Sequence, residues 1–144
     1  MSGETLHGHY FEELSVGQVG VFAKTVTEAD IVAFAGVSGD FNPVHINEEF
    51  AKDTLFKGRI AHGMLSAAFI STVFGTRLPG PGCIYVSQML KFKAPVRIGD
   101  TVTAKVELTA LVPEKKFATF RTTCEVAGKI VLDGEATLMV PSKG

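Results

Sequence analysis

Residues 62–75 read HGMLSAAFISTVFG, and this stretch decides the fold of the 144-residue chain. It predicts a helix with hardly any polar face, because apolar side chains occur on every side of it. These side chains are Met64, Leu65, Ala67, Ala68, Phe69, Ile70, Val73 and Phe74. A helix that is apolar all round is a buried helix. The small Ser66, Ala67 and Ala68 would let a sheet approach the helix closely, and the Pro- and Gly-rich run 79–82 turns the chain after it.

Strands are predicted after residue 82, because apolar residues there recur with a period of two. The predicted inward-facing sets are Ile84, Val86, Gln88, Leu90 and Phe92; Val102, Ala104, Val106, Leu108 and Ala110; Ala118, Phe120, Thr122, Cys124 and Val126; and Ile130, Leu132, Ala136, Leu138 and Val140. One-sided alternation indicates an antiparallel sheet with one covered face. We therefore predict an α+β fold, a curved antiparallel sheet wrapped around one buried central helix, in a single domain over residues 1–144.

The first half of the chain is predicted to contain shorter elements. Residues 19–26 have the β-branched and aromatic content of a strand. Thr27 is a candidate N-cap for a helix that ends near residues 36–39. A second short helix is expected to begin near Asn47, and residues 53–59 are expected to form an exposed connection.

Composition and charge exclude several classes of function. The formal net charge is −1, so no basic field attracts nucleic acid or a membrane surface. Residues 1–14 lack the apolar core of a secretory signal, and their acids argue against a transit peptide. The longest largely apolar stretch, residues 60–74, is too short and too interrupted to span a bilayer. We expect a soluble, cytoplasmic protein whose residues 1–10 form a mobile end.

No metal or cofactor is expected from the sequence. Cys83 and Cys124 lie in separate apolar runs without zinc-type spacing, which favours buried free thiols in a reducing compartment. His7 and His9 form only half of a metal site. The Gly-rich runs, including residues 79–82, do not match a phosphate-binding or dinucleotide-binding fingerprint, so they are interpreted as turns.

The candidate chemical site is the stretch SGDFNPVH, residues 38–45, which brings a carboxylate, a carboxamide and an imidazole within six positions. Pro43 keeps Asn42 out of the helical region, so the stretch is predicted to be a constrained loop. A loop that presents the Asp40 carboxyl group near the His45 imidazole suits general acid–base catalysis on a bound water. The alternative is structural, since Asp and Asn are common turn residues and His45 could cap the next helix.

The wider pattern Gly39-Asp40-x-Asn42-Pro43-Val44-His45, followed after five residues by Ala51, resembles the signature of the MaoC-like, (R)-specific enoyl-CoA hydratases (hydratase 2). Residues 61–65, AHGML, look like that family's entry into its central helix, and residues 79–88 resemble the start of its next strand. The likeness runs from about residue 11 to residue 141. Three motifs in this order support one another.

The resemblance implies a hot-dog fold and addition of water to a trans-2-enoyl-CoA, giving an (R)-3-hydroxyacyl-CoA, or the reverse dehydration. It implies that Asp40 and His45 form the catalytic dyad, without deciding which of them is the base. It also implies that the Gly63 amide contacts the thioester carbonyl as an oxyanion donor. An acyl-CoA substrate and a homodimer joined edge to edge are expected, the latter also because exposed edge strands pair readily.

Four further polar residues have open or secondary roles. Asn42 is better suited to fixing the loop than to carrying a proton. Ser71 resembles a position that orients the dyad, but a hydroxyl that bonds back to its own helix is equally consistent with the sequence. Gln88, on the predicted inner face of its strand, is expected to bond either the substrate or a buried backbone group. His62 fits a core or capping histidine better than a catalytic one.

Three alternative functions remain open at this point. An acyl-carrier-protein thioester could replace the CoA thioester, which would make the protein a 3-hydroxyacyl-carrier-protein dehydratase. An acyl-CoA thioesterase would use a carboxylate, a water and a helix-end amide as well. A non-catalytic acyl-thioester-binding subunit is the third alternative. The sequence indicates neither the acyl length nor the pathway, such as polyhydroxyalkanoate supply or fatty-acid metabolism.

Overall fold

The structure is a computed structural model that describes residues 6–144. After a 3₁₀ turn at Phe11–Glu13, the elements are β1 (Val19–Thr25), α1 (Glu28–Ser38), α2 (Pro43–Ile46), α3 (Glu48–Ala51), α4 (Gly63–Thr76), β2 (Ile84–Phe92), β3 (Thr101–Val112), β4 (Phe117–Val126) and β5 (Lys129–Met139). The strands form one antiparallel sheet in the order β1-β3-β4-β5-β2. The predicted α+β class and antiparallel sheet are confirmed.

The sheet curves around α4, which is the predicted hot-dog arrangement. The face of α4 that packs on the sheet consists of Leu65, Ser66, Phe69, Ile70, Val73 and Phe74, all buried. Phe74 meets Phe120 of β4 edge to face, with ring centroids 5.0 Å apart. At the small Ser66 the sheet comes close enough for the Cys124 thiol to lie 3.5 Å from the Ser66 carbonyl oxygen. The predicted close approach of sheet and helix is therefore observed.

Burial of α4 is one-sided, so the prediction of burial on every side was wrong for the single chain. Met64 is 53% exposed, and Ala68 and Ser71 are exposed with it. The five-stranded sheet covers only the face of the helix that turns toward it. With 14 residues, α4 is also the longest helix. No helix in the described part of the chain is long and apolar enough to cross a membrane.

A β-bulge in β2 changes which of its side chains face inward. Tyr85 pairs with Leu138 but Ser87 pairs with the adjacent Thr137, so Val86 is the extra residue. A bulge shifts the alternation by one position. The predicted inward positions of Ile84 and Val86 were therefore wrong. Tyr85 faces inward in their place and meets the Phe74 ring of α4 edge to face at 5.2 Å.

A second β-bulge, in β3, also changes which side chains face inward. Leu108 pairs with Phe120 and Ala110 pairs with Thr119, which leaves Thr109 as the bulged residue. Ala110 is consequently exposed, and the prediction that it faces the core was wrong. Leu111 packs against the core in its place.

The segment before β1 is attached to the body of the protein. Residues 1–5 lie outside the described residues, but the Gly8 and His9 amides donate to the carbonyl oxygens of Pro81 and Pro79 at 2.8 and 2.7 Å. His7 stacks on Tyr10 with ring centroids 4.1 Å apart. Residues 7–10, which were predicted to belong to a mobile end, thus contact the body of the protein.

Both cysteines are free, as predicted. Cys124 is buried, and this burial raises the pKa of its thiol to about 12. Cys83 is only half-buried, although burial raises the pKa of its thiol as well. The expectation of a buried thiol thus holds for Cys124 and only partly for Cys83.

Candidate active site

Helix α1 leads the chain directly into the candidate site. It begins after Thr27, whose hydroxyl accepts from the Asp30 amide at 3.1 Å while the Asp30 carboxylate accepts from the Thr27 amide at 3.0 Å. This reciprocal pair is a capping box. The helix ends at Gly39, whose φ of 81° lies in the left-handed region that glycine favours. Asp40 therefore follows a fixed helix terminus, as predicted.

The loop after α1 is shorter than predicted. The Asp40 carboxylate accepts from the Asn42 amide at 3.2 Å, and the Asn42 side-chain oxygen accepts from the Val44 amide at 3.1 Å. Asn42 is thereby the N-cap of α2, with Pro43 at the first helical position, which proline favours. The prediction of a loop over 38–45 was wrong at Ser38, which ends α1, and from Pro43 onward, where His45 lies in the one-turn helix. These contacts support a loop-fixing role for Asn42.

His45 is held in one orientation. The side chain is 8% exposed, and Nδ1 lies 2.9 Å from the carbonyl oxygen of Ile60. A carbonyl only accepts, so Nδ1 carries the hydrogen and the neutral ring has its lone pair at Nε2. Arg59 fixes the same helix: its Nε donates to the His45 carbonyl oxygen at 2.7 Å, and its guanidinium pairs with Glu28 of α1 at 2.7 Å.

Three titratable side chains converge at this point. One ligand-type atom from each of Asp40, His45 and His62 lies within 4.8 Å of the others. The two imidazoles stack with centroids 3.8 Å apart and planes at 26°. His62 Nε2 lies 2.9 Å from the Asp40 main-chain oxygen. Residues of these types can bind a metal ion or move protons, so the cluster is a candidate site for either chemistry.

Gly63 is the first residue of α4 and follows His62 directly. Amides in the first turn of a helix lack intrahelical acceptors, and the helix dipole makes this end positive. No backbone acceptor for the Gly63 amide occurs among residues 6–144. A cavity of about 560 Å³ opens beside it. The cavity is mainly apolar and includes Leu55, Phe56, Ile60, Met64 and Phe92 in its lining. Gly63 therefore lies at a helix terminus beside a cavity, and its role as an oxyanion donor stays a prediction.

Ser71 and Gln88 lie elsewhere, along a second groove that includes Met64. The Gln88 amide nitrogen donates to the Thr122 hydroxyl at 2.9 Å and its oxygen accepts from the Tyr85 hydroxyl. These contacts favour the structural alternative for Gln88. Ser71 is exposed in the groove. No side-chain hydrogen bond joins Ser71 or Gln88 to the dyad within the described part of the chain.

Comparison with known proteins places this site in a family. Residues 15–133 match the model of the MaoC like domain. The chain belongs to the MaoC-like family. It is 67% identical over 144 residues, all of both chains, to a Rhodospirillum rubrum protein named (R)-specific enoyl-CoA hydratase. The resemblance stated from the sequence motifs is confirmed.

Two further MaoC-like relatives extend this result. A Methylorubrum extorquens protein named 3-hydroxybutyryl-CoA dehydratase is 52% identical over 134 residues, which cover 93% of this chain and 85% of the relative. The solved structure of R-hydratase PhaJ1 from Pseudomonas aeruginosa, in the unliganded form, is 44% identical with a TM-score of 0.89, covering 94% of this chain and 88% of that one. The hot-dog architecture is therefore shared with a solved hydratase.

Proposed function

We propose that this protein is an (R)-specific enoyl-CoA hydratase, a hydro-lyase that adds water to trans-2-enoyl-CoA and catalyses the reverse dehydration. The observation that carries the proposal is the convergence of the Asp40 carboxylate and the His45 ring within 4.8 Å. The names of the MaoC-like relatives at 67% and 52% identity support the same activity.

The dyad suits a water molecule as the reacting nucleophile. A carboxylate oxygen of Asp40 and the Nε2 lone pair of His45 are both acceptors, so one water can donate one hydrogen to each of them. Its oxygen then adds to the β-carbon as one proton passes to the dyad, and the dyad returns a proton to the α-carbon. The product contains the substrate and one water, so all atoms are accounted for.

The thioester oxygen acquires negative charge when water adds to the conjugated bond. The Gly63 amide at the positive end of α4 is the proposed donor to that oxygen. Gly63 lines the cavity of about 560 Å³, and the Phe92 ring packs where a side chain at this position would lie. Asn42 is proposed to hold Asp40 and α2 in position, whereas Ser71 is proposed to line the acyl-binding groove rather than to transfer a proton.

The activity is tested by the loss of the enoyl-thioester absorbance with a short trans-2-enoyl-CoA. A coupled (R)- or (S)-specific 3-hydroxyacyl-CoA dehydrogenase identifies the product, and a thiol reagent detects hydrolysis. We expect absorbance loss without free thiol and a response only from the (R)-specific enzyme. Free thiol would establish a thioesterase instead. Activity on acyl-carrier-protein thioesters alone would mean that the substrate is bound to acyl-carrier protein and not to CoA. No activity on either kind of thioester would favour a non-catalytic binding subunit.

The protein is further proposed to be a homodimer joined along β2. This edge strand exposes Ile84, Val86 and Met89 among its apolar side chains, and Val86 lines the same groove as the exposed Met64 of α4. Unpaired edge strands pair readily with another chain, and a second copy would cover both the edge and the open side of the helix.

Val86→Lys is expected to shift the protein from dimer to monomer, because it places a desolvated positive charge against its own copy across the two-fold axis. Val19→Lys on the opposite edge strand, β1, is the matched control, since both valines are 48% exposed. Sedimentation velocity measures the result. A monomeric wild-type protein, or a dimer that is lost only in Val19→Lys, would contradict the proposed interface.

A further inference from the structure

We propose that His62 is a positioning residue that holds Asp40 and His45 at a fixed distance from the start of α4. This inference rests on the proposed hydratase function. His62 is 2% exposed, although a histidine is rarely so deeply buried without a fixed role. Its side chain provides no cap for α4, even though it occupies the N-cap position. The buried ring is therefore used for contacts other than helix capping.

The contacts of the ring determine its tautomer. Nε2 lies 2.9 Å from the Asp40 carbonyl oxygen, which can only accept, so Nε2 carries the hydrogen. Nδ1 is buried and forms no hydrogen bond with a described residue. A second hydrogen on Nδ1 would thus be a buried donor without an acceptor, which is costly. His62 acts as a donor to Asp40 through Nε2 alone.

His62 connects the three parts of the proposed site. It donates to the main chain of Asp40, stacks on the ring of His45 at 3.8 Å, and is joined by its own peptide bond to Gly63. Phe34 of α1 packs on the same ring with centroids 4.9 Å apart. The dyad comes from the α1–α2 region, whereas the proposed oxyanion donor opens α4. One buried side chain therefore sets the distance between the acid–base pair and the donor.

Two substitutions separate the contacts of His62. In His62→Gln, the side-chain amide can still donate from the position of Nε2 but loses the ring stack, whereas His62→Phe keeps the stack and loses the donor. A displacement of about 1 Å in an active site can cost roughly 100-fold in rate. We expect His62→Phe to lower kcat about 10- to 100-fold with little change in KM, and His62→Gln to recover most of that loss. Equal kcat in wild type and His62→Phe would overturn the proposal.

A control distinguishes positioning from general destabilisation. Ile70→Val removes one methylene from the buried face of α4, outside the linings of both cavities. We expect a lower thermal midpoint with kcat unchanged. If His62→Phe and Ile70→Val lowered kcat in proportion to their loss of thermal midpoint, the His62 effect would be structural and the proposal would fail.

A measurement without substrate separates this inference from the proposed function. Long-range ¹H–¹⁵N spectra of the imidazoles report the tautomer of each ring, and we expect the Nε2–H form for His62 and the Nδ1–H form for His45. The Asp40 carbonyl resonance should shift in His62→Phe and stay near its wild-type position in His62→Gln. The opposite tautomer at His62, or an unchanged Asp40 resonance in His62→Phe, would overturn the positioning role whether or not the protein hydrates enoyl-CoA.

Discussion

Asp40→Asn is expected to lower kcat for enoyl-CoA hydration by about 10²- to 10⁴-fold, the usual contribution of a positioned acid–base group. The substitution preserves shape but removes the charge that would polarise the water. The fold should persist, because an asparagine oxygen can still accept from the Asn42 amide as the carboxylate does at 3.2 Å. The hydrogen bond from His62 Nε2 to the main-chain carbonyl oxygen of residue 40 is also retained, because the substitution changes only the side chain.

Asp53→Asn provides the matched control, since Asp53 is an exposed aspartate in the connection after α3. Its kcat should equal that of the wild type. Both variants are assayed by enoyl-thioester absorbance and by thermal melting. Near-wild-type turnover in Asp40→Asn would remove Asp40 from the proton transfers, while a large fall in its melting temperature would show that the loss of activity reflects unfolding.

The fold was predictable because its signals are regular. The apolar run of α4 and the period-two strands both follow from side-chain patterns that match the helix and strand repeats. The bulges at Val86 and Thr109 were missed because an extra residue shifts alternation without changing composition. The exposed face of α4 was missed for a different reason: an apolar helix surface does not show which of its sides the sheet covers.

The candidate site was predictable only where its residues are close in sequence. Asp40 and His45 are five positions apart, so their convergence needs only one turn. The bond from His45 to the Ile60 carbonyl and the contacts of Arg59 span 14 or more positions, and no periodicity indicates them. The importance of His62 was left open, because a lone histidine beside an apolar run does not identify its partners. Tertiary packing supplies that information.

The role of the Gly63 amide is best tested by removing its hydrogen without disturbing the helix. Proline is well tolerated at the first helical position, where the amide has no intrahelical partner. The preceding His62 has φ −59° and ψ 135°, the extended conformation that a following proline requires. A Cβ at Gly63 would, however, lie 2.6 Å from the Phe92 ring. The substitution therefore belongs in a Phe92→Ala background.

The comparison is Gly63→Pro/Phe92→Ala against Gly63→Ala/Phe92→Ala, with Phe92→Ala alone as the reference for the altered cavity. The alanine variant has a Cβ but keeps the amide hydrogen, whereas the proline variant loses it. We expect the proline variant to show about 10²- to 10³-fold lower kcat than the alanine variant, as for removal of one oxyanion donor. Similar melting temperatures would show that α4 begins normally in both. Equal kcat in the two folded double variants would mean that the thioester charge is stabilised by a group other than the start of the buried helix.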